Sequence, residues 1–467
     1  MPDIELAIRA GRVITPEGAR RAAVLISGGA IQAVTDHADP AVTAAAEVVD
    51  LAGDEVLLPG LVDTHVHVNE PGRTEWEGFA TATLAAAAGG VTTVIDMPLN
   101  SIPPTIDVTA LAEKRRAAEG HCYVDTGFWG GAVPGNLGRL GPLLAAGVFG
   151  FKCFTIDSGV PEFPPLDPVC LRVAVAEAAG LGCPLLVHAE DAAIIAAAAD
   201  RLASAGEAKR TRYREFLRSR PGSAEVAAIA TLIGLARATG GRVHVPHLSS
   251  ADAVPLLAAA QRDGVAITAE TCPHYLCLAA EEIEDRATEF KCCPPIRDRA
   301  NSERLWAALA DGVISCVVSD HSPCPPGLKL TEAGDFAAAW GGISSVQLGL
   351  AAVWTAARRR GHDLADVVAW MAAGPAALAG LAGKGGIAAG RDADLVAFAP
   401  GADFVVAPGM LATRHKLTPY SGRWLTGVVR RTWLRGALVT PGRPRGRLLT
   451  GPGAIGSRHA PAGDGRS

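Results

Sequence analysis

The sequence lacks any long uninterrupted apolar run, because its alanine-rich stretches are broken by glycine, proline or charged residues. We therefore expect no membrane-spanning helix. The first residues, MPDIELAIRAGRVI, contain neither a long apolar stretch nor a cleavage site, so we expect no secretory signal. The formal charge of −5 provides no excess of basic residues, which argues against a general binder of nucleic acids or acidic membranes. Ten cysteines without a signal predict reduced thiols and a cytoplasmic protein.

The chain is rich in apolar residues, which make up 49% of its 467 residues, while charged residues account for 19%. This composition excludes wholesale disorder, and the length favours one large domain with a smaller one. Residues 1–56 contain short β segments separated by glycine and aspartate turns, and similar segments return in residues 384–440. We predict that these two ends form one small β domain. Residues 441–467 are rich in glycine, proline and arginine, and we expect a mobile tail there.

Residues 57–383 alternate short valine- and isoleucine-rich runs with alanine-rich helical stretches, which is the pattern of βαβ units. Eight such runs occur near residues 61–68, 91–97, 122–128, 148–154, 184–189, 242–248, 265–271 and 314–320. Eight units over roughly 300 residues predict an α/β fold of the TIM-like (β/α)8 barrel type. An open doubly wound sheet is the alternative, but no glycine-rich phosphate fingerprint follows an early strand.

The first chemically informative motif is Asp63-Thr64-His65-Val66-His67, at the end of the first predicted barrel strand. Residues two apart on a strand point to the same side, so His65 and His67 can direct two imidazoles at one point. In a barrel this side is the interior, and active sites lie at the carboxyl ends of the strands. Two histidines so placed suit a divalent metal ion, although the motif alone is equally compatible with a structural role.

A second candidate is Lys152, which interrupts an apolar run at residues 148–154. A lysine in such a strand must find a partner for its charge or lose the charge. It can form a buried ion pair, it can extend its ammonium group to the mouth of the barrel, or its neutral amine can take up CO2. The last alternative produces a carbamate, an anionic oxygen donor that is able to bridge two metal ions.

Three further predicted strands end in histidine or aspartate. His188 ends the run PLLVH, and taken alone it is more typical of a satisfied core histidine. The run VHVPHLSS offers His244 and His247, which lie three apart and hence on opposite faces of a strand. We expect His247 to face the interior and His244 to pack between sheet and helices. Asp320, in VVSDHSP, can cap a turn, or it can bind metal and move a proton.

These candidates lie at the carboxyl ends of predicted strands one, four, five, six and eight, which meet at one end of a barrel. We therefore predict a centre of two divalent metal ions, for which zinc, cobalt, manganese and iron are all suitable. A water bridging ions roughly 3.5–4 Å apart has its pKa lowered towards 7, and the ions can polarise a carbonyl. Asp320 would take the proton of the attacking water and deliver it to the leaving nitrogen, which suits hydrolysis of an amide.

The motifs PGLVDTHVHVNEPGRTEWEGF, GGVTTVIDMPLNSIPPT, GFKCF, LVHAE, HLSS, KCCPPIRD and VSDHSPCPP resemble those of the cyclic amidohydrolases of the amidohydrolase superfamily. The resemblance extends from about residue 4 to about residue 440. Within that branch, MPLN, KCCPPIRD and DHSPCPP are most similar to the allantoinase family, while hydantoinases and dihydropyrimidinases differ more in the last of these loops. Dihydroorotases typically carry a carboxylate-binding arginine where this chain has Asn69.

The resemblance implies two metal ions, usually zinc, and a carboxylated Lys152, with the ligands His65, His67, Lys152, His188, His247 and Asp320. It also implies hydrolysis of (S)-allantoin to allantoate, a small cyclic ureide substrate, and a homotetramer. Substrate contacts are expected at Asn100, Cys293, Pro294, Ser322 and Pro323. Cys293 stands where the family pattern has serine, and a thiol is a poorer hydrogen-bond partner. A metal-free scaffold of the same fold is the alternative class, but such relatives would lose the ligands that this chain retains.

Overall fold

The computed structural model of the chain describes residues 3–203 and 207–454. The strands within these residues are numbered in chain order. They are β1 (Leu6–Thr15), β2 (Gly18–Ser27), β3 (Ala30–Thr35), β4 (Glu47–Asp50), β5 (Val56–Pro59), β6 (Leu61–Val66), β7 (Val91–Asp96), β8 (Asp125–Phe128), β9 (Gly130–Gly131), β10 (Phe151–Phe154), β11 (Leu185–His188), β12 (Val243–Val245), β13 (Ile267–Thr271), β14 (Cys316–Val317), β15 (Leu395–Val405), β16 (Trp424–Leu434) and β17 (Ala437–Leu438).

Eight parallel strands form a barrel, and each of the eight runs predicted from the sequence contributes one of them. Strands β6, β7 and β8 pair in one sheet, and β9 to β14 pair in sequence order in another. Backbone hydrogen bonds close the ring at both joints. The N–H of Phe149 donates to the carbonyl of Phe128 at 3.0 Å, and the N–H of His67 donates to that of His321 at 2.7 Å. The predicted TIM-like barrel is therefore confirmed.

Helices follow the barrel strands and cover the outside of the barrel. The α-helices are α1 (Pro40–Thr43), α2 (Phe79–Ala88), α3 (Val108–Ala118), α4 (Gly141–Ala145), α5 (Pro168–Leu181), α6 (Ala192–Ala203), α7 (Glu207–Arg210), α8 (Tyr213–Ser219), α9 (Gly222–Thr239), α10 (Val254–Arg262), α11 (Pro273–Cys277), α12 (Arg299–Ala310), α13 (Pro326–Lys329), α14 (Gly349–Arg359), α15 (Leu364–Val368) and α16 (Gly374–Ala379). Short 3-10 segments occupy Pro134–Asn136, Ala251–Ala253, Ala280–Glu282, Thr288–Phe290 and Pro408–Met410, and Ala369–Ala373 is a π-helical turn.

Local sequence accounts for the ends of these helices, as α5 illustrates. The Asp167 carboxylate accepts the N–H of Cys170 at 2.7 Å, and Pro168 occupies the first turn, where no backbone donor is needed. Gly182 ends the helix with φ of 69°, a left-handed conformation that costs glycine little. Among the described helices, none combines the length and the apolar character required to cross a membrane.

The β domain combines both ends of the chain, as predicted. Its sheet has the order β17-β16-β15-β5-β1-β2-β3, and β4 pairs with β1. Strands β15 and β5 are antiparallel, with Leu395 opposite Pro59, and this pairing joins the C-terminal segment to the N-terminal one. Strand β5 crosses the boundary that we predicted between residues 56 and 57. The β domain is therefore continuous with the first barrel strand, which begins at Leu61.

The segment 441–454 packs on the barrel, although we predicted a mobile tail from residue 441. The N–H of Thr126 in β8 donates to the carbonyl of Arg447 at 2.9 Å. Gly446 permits the close approach, since a Cβ there would lie 2.0 Å from a barrel carbonyl oxygen. These contacts are made by backbone atoms, and for that reason a composition argument missed them. Residues 455–467, the rest of the predicted tail, lie outside the described residues.

Lys384 connects the barrel and the β domain through buried charges. Its Nζ lies 2.6 Å from the carboxylate of Asp125 in β8 and 2.7 Å from that of Asp394, just before β15. Lys384→Ala deprives both carboxylates of this cation, and we expect the free energy of unfolding in urea to fall by about 3–5 kcal/mol. Arg9→Ala, which breaks the exposed pair with Asp50, is the control and should have a much smaller effect. Equal effects of the two substitutions would contradict the prediction.

Candidate active site

A cavity of about 250 Å³ opens at the carboxyl ends of the barrel strands. Strands β6, β10 and β11 carry three of its polar residues, a fourth follows β6 directly, and two more lie within three residues of the ends of β12 and β14. All six residues predicted as metal ligands line this cavity: His65, His67, Lys152, His188, His247 and Asp320. Positions spread over 256 residues of sequence are thus brought to one end of the barrel, where TIM-barrel enzymes hold their active sites.

His65, His67 and Asp320 form the first half of the site. The Nε2 atoms of His65 and His67 lie 3.3 Å and 3.4 Å from Oδ1 of Asp320. One ligand atom from each of these three buried residues lies within 4.8 Å of the others, which is a spacing that could hold a metal ion. Burial alone would raise the pKa of the Asp320 carboxyl, but the two imidazoles outweigh burial and hold that pKa well below its usual range.

His188, His247 and Lys152 form the second half. Nδ1 of His188 lies 3.1 Å from Nε2 of His247, and the ring of His247 lies 5.2 Å from that of His65. His247 has φ of 40° and Asp320 has φ of 44°, conformations that are costly for residues other than glycine. Backbone strain of this kind is concentrated at functional sites, where the surrounding structure holds the residue in place.

Lys152 is 1% exposed, and its Nζ has no hydrogen-bond partner. Burial lowers the pKa of the amine to about 8. Among the described residues Lys152 forms no direct ion pair, which was the first alternative considered for it. Lys152 lines the cavity, which is compatible with the other two. Nδ1 of His247 is likewise buried without a partner. Two buried nitrogens without partners, on residues that line one cavity, fit a site built to bind something further.

Two buried carboxylates orient the histidines from behind. Oε1 of Glu270 lies 2.5 Å from Nδ1 of His65, and Oε2 of Glu190 lies 2.8 Å from Nε2 of His188. These contacts leave Nε2 of His65 and Nδ1 of His188 directed at the cavity. Carboxylates in this position are the usual partners of metal-binding histidines, since they fix the tautomer and the ring orientation.

His244 differs from our expectation, because its ring does not pack between the sheet and the helices. Its Nε2 lies 3.0 Å from Oε2 of Glu270, on the same side of the sheet as His65. Strand β12 ends at Val245, and the positive φ of His247 then turns the chain. Because the strand has ended, the alternation of side chains between its two faces does not extend to His247. His244 and His247 therefore both face the interior of the barrel, at different depths.

Three of the five predicted substrate contacts, Asn100, Cys293 and Ser322, line the cavity, and two do not. The Pro294 carbonyl accepts a hydrogen bond from Tyr275 at 2.7 Å, and the Pro323 carbonyl accepts one from Asn69 at 3.2 Å. Both prolines are buried and do not line the cavity, and each carbonyl already accepts one of the two hydrogen bonds that it can accept. The role of Pro294 and Pro323 as substrate contacts stays a prediction.

The cavity rim includes groups that the sequence did not reveal. Arg220 lines the cavity and forms a salt bridge with Glu190, which also contacts His188. Trp340 also lines the cavity, and its ring packs edge-on against Trp76 at 5.0 Å between centroids. A guanidinium group and an aromatic wall suit a planar, polar ligand rather than an extended apolar one.

Residues 56–439 match the model of the amidohydrolase family. The match covers most of the chain and all six residues that surround the cavity. The chain belongs to the amidohydrolase family. Amidohydrolase relatives of known name include an allantoinase of Streptomyces avermitilis, 57% identical over 96% of this chain and 99% of that protein. An allantoinase of Saccharomyces cerevisiae is 49% identical over 82% of this chain and 82% of that protein.

Solved structures give the same assignment for the fold of this amidohydrolase. An L-hydantoinase (dihydropyrimidinase) from Arthrobacter aurescens superimposes with a TM-score of 0.89 at 30% identity, over 96% of this chain and all of that one. A dihydropyrimidinase from Brevibacillus agri superimposes with a TM-score of 0.86 at 29% identity, over 96% and 99% of the two chains.

The sequence analysis did not predict Glu190 and Glu270, although a signal for both was present, since each interrupts an apolar strand end, in LVHAE and ITAET. Arg220 follows α8 in a connection that carries no such signal.

Proposed function

We propose that this amidohydrolase acts as an allantoinase, hydrolysing the ring amide of (S)-allantoin to allantoate in purine breakdown. The observation that carries the proposal is the near full-length similarity to the Streptomyces avermitilis allantoinase. The buried group of His65, His67 and Asp320 supports it, because metal-assisted hydrolysis needs such donors at the mouth of a barrel. A small cyclic ureide also suits the size of the cavity, which is about 250 Å³.

We assign the six polar residues of the cavity to two divalent ions. His65 and His67 would hold one ion, and His188 and His247 the other. Lys152, once carboxylated, would bind both, and Asp320 would complete the set. The support is the directed ring nitrogens and the partnerless Nζ of Lys152. When bound, such a pair of ions polarises the substrate carbonyl and lowers the pKa of water.

Asp320 is assigned the proton transfers. Its carboxylate would accept the proton of the attacking water and return it to the ring nitrogen as the amide bond breaks. The residue is well held, because its carbonyl accepts the hydroxyl of Ser322 at 2.8 Å and its carboxylate contacts two imidazoles. Asn100, Cys293 and Ser322 face the same cavity and would orient the ureide by hydrogen bonds.

The carboxylation of Lys152 is a reaction of the chain itself. The neutral amine attacks the carbon of CO2, a nitrogen–carbon bond forms as one carbon–oxygen π bond breaks, and one proton leaves to solvent. The product would have one negative charge shared by two oxygens, which bound divalent ions would compensate. An amine that is 1% exposed and without a hydrogen-bond partner is suited to this reaction, because it is not committed to another group.

A hydantoinase-type activity is the second candidate, because the solved structures described above are hydantoinases and dihydropyrimidinases. A dihydroorotase-type activity has less support. Position 69 carries an uncharged asparagine whose amide donates to the Pro323 carbonyl at 3.2 Å, so it offers no cation for a substrate carboxylate. The two alternatives make different predictions about substrate choice.

A panel of allantoin, hydantoin, dihydrouracil and dihydroorotate, assayed with metal-loaded protein, tests the proposed function. We expect kcat/KM to be highest for allantoin, because the polar rim formed by Arg220 and Trp340 offers partners to a ureido arm that hydantoin and dihydrouracil lack. Metal content is measured in the same preparations, and we expect two divalent ions per chain. Efficient turnover of hydantoin or dihydrouracil without turnover of allantoin would contradict the substrate assignment.

We further propose zinc as the native metal, with cobalt, manganese or iron able to replace it.

We also propose that the protein is a homotetramer and that it resides in the cytoplasm. The ten cysteines are all free thiols, which suits a reducing compartment. Exposed apolar side chains such as Val169 and Trp424, which are 71% and 63% exposed, supply surface that subunit contacts could cover. Light scattering in solution measures the oligomeric state.

A further inference from the structure

We propose that His244 is a positioning residue for the metal centre, acting on His65 through Glu270. The inference rests on the metal role proposed above for His65. The three side chains form a continuous chain of hydrogen bonds inside the barrel. Oε1 of Glu270 lies 2.5 Å from Nδ1 of His65, and Oε2 lies 3.0 Å from Nε2 of His244.

The chemistry of the groups sets the direction of each hydrogen bond. An ionised carboxylate only accepts, so Nδ1 of His65 and Nε2 of His244 must both carry hydrogen and donate to Glu270. Nε2 of His65 then carries the free lone pair of the ring, and this atom lies 3.3 Å from Oδ1 of Asp320. A neutral His244 has its remaining lone pair on Nδ1, which lies 2.7 Å from the hydroxyl of Thr268. Both oxygens of Glu270 and both ring nitrogens of His244 therefore have partners of the correct kind, and Nε2 of His65 is the one ring nitrogen left without a donor.

The position of His244 explains why it is needed. Glu270 and His244 are 0% and 1% exposed, so solvent does not reach the carboxylate while the His244 ring is in place. His65 alone fixes one carboxylate oxygen and leaves the group free to rotate about that contact. The second contact, from His244, fixes the plane of the carboxylate and with it the plane of the His65 ring. Because the ring is already held in place, it loses little conformational freedom when its lone pair binds a metal ion. The cost of metal binding is therefore smaller.

The chain of hydrogen bonds continues to the end of the barrel where the strands begin. Thr268 is exposed there, beside a cavity of about 480 Å³ that is also lined by Arg242 and Gln261. The substrate cavity lies at the opposite end of the strands. His244 is thus anchored from a surface that substrate does not reach, and a substitution at His244 or Thr268 leaves the walls of the substrate cavity unchanged.

Zinc affinity of the full-length protein, measured by competition with a chelator, tests this role without substrate. We expect His244→Ala to raise the zinc dissociation constant about 10-fold, the low end of the effect of removing a direct partner of a metal ligand, because His244 acts through Glu270. His244→Gln retains a donor that can reach Glu270 and should recover most of the affinity. Cys316→Ala is the matched control, because its sulfur lies in the same buried group as His244 and Glu270 but makes no hydrogen bond to either.

Thermal unfolding of the metal-free proteins separates positioning from stability. We expect His244→Ala and Cys316→Ala to unfold at similar temperatures and to differ in zinc affinity. Should His244→Ala fail to fold, Thr268→Val, at its exposed position, must still weaken zinc binding. Unchanged affinity in these variants would overturn the inference, and so would an equal loss in Cys316→Ala, which would indicate an ion bound by the buried group itself. A wild-type protein that binds neither zinc nor another divalent ion would instead refute the proposed metal site on which the inference rests.

Discussion

Asp320→Asn is expected to lower kcat on allantoin by about 10³-fold, within the range that positioned proton transfer contributes. The amide has the size of the carboxylate but can neither accept the proton of water nor carry it to the leaving nitrogen. It also loses the charge that two histidines contact at 3.3 Å and 3.4 Å, so we expect one metal ion to bind more weakly. Steady-state kinetics at saturating metal, together with metal content, separates these two effects.

A control must show that the loss is specific to this carboxylate. Asp263→Asn removes a carboxylate on the surface, where Asp263 pairs with Arg237 at 2.9 Å and both side chains are more than half exposed. It should leave kcat unchanged. If Asp320→Asn binds two ions and turns over within tenfold of the wild type, the proton-transfer role assigned to Asp320 is wrong.

The barrel and the polar residues of its site were predictable because both depend on local sequence. Each barrel strand is a short run of apolar residues between glycine, proline or helix-forming segments, and each such run became a strand. His65, Lys152 and His188 lie within or at the end of their strands, so the two-residue period and the strand end place them without further information. Asp320 follows β14 closely and benefits from the same rule.

The errors arose where backbone geometry or distant contacts decide the outcome. His244 and His247 were assigned to opposite faces on the assumption of a regular strand, but β12 ends at Val245 and His247 adopts a positive φ. Arg220 reaches the cavity through its salt bridge with Glu190, a pairing across 30 residues that no local pattern encodes. The docking of residues 441–454 depends on backbone pairing with β8, to which side-chain composition is insensitive.

Lys152→Ala is expected to reduce kcat/KM by roughly 10³-fold, because the proposed carbamate is an anion shared by both ions. Loss of a ligand of this kind removes several kcal/mol of charge stabilisation, and each 1.36 kcal/mol corresponds to a factor of ten in rate. The substitution leaves a small cavity next to the Phe154 ring, which Nζ overlies at 5.2 Å. A short carboxylate, such as acetate or propionate, fits this space and supplies the same two oxygens.

Rescue by carboxylate distinguishes a carbamate from a lysine that acts through its own charge. We expect acetate, propionate or high bicarbonate to restore part of the activity of Lys152→Ala and to raise its metal content. Lys152→Arg is the matched control, because it keeps a cation, cannot form the carbamate and fills the space that a carboxylate would need, so rescue should be absent. Carbon-13 NMR of the wild-type protein in labelled bicarbonate should reveal one carbamate carbon per chain, and Lys152→Ala should lack it. Full activity of Lys152→Ala without added carboxylate would exclude the carbamate, since the remaining histidines and Asp320 would then suffice.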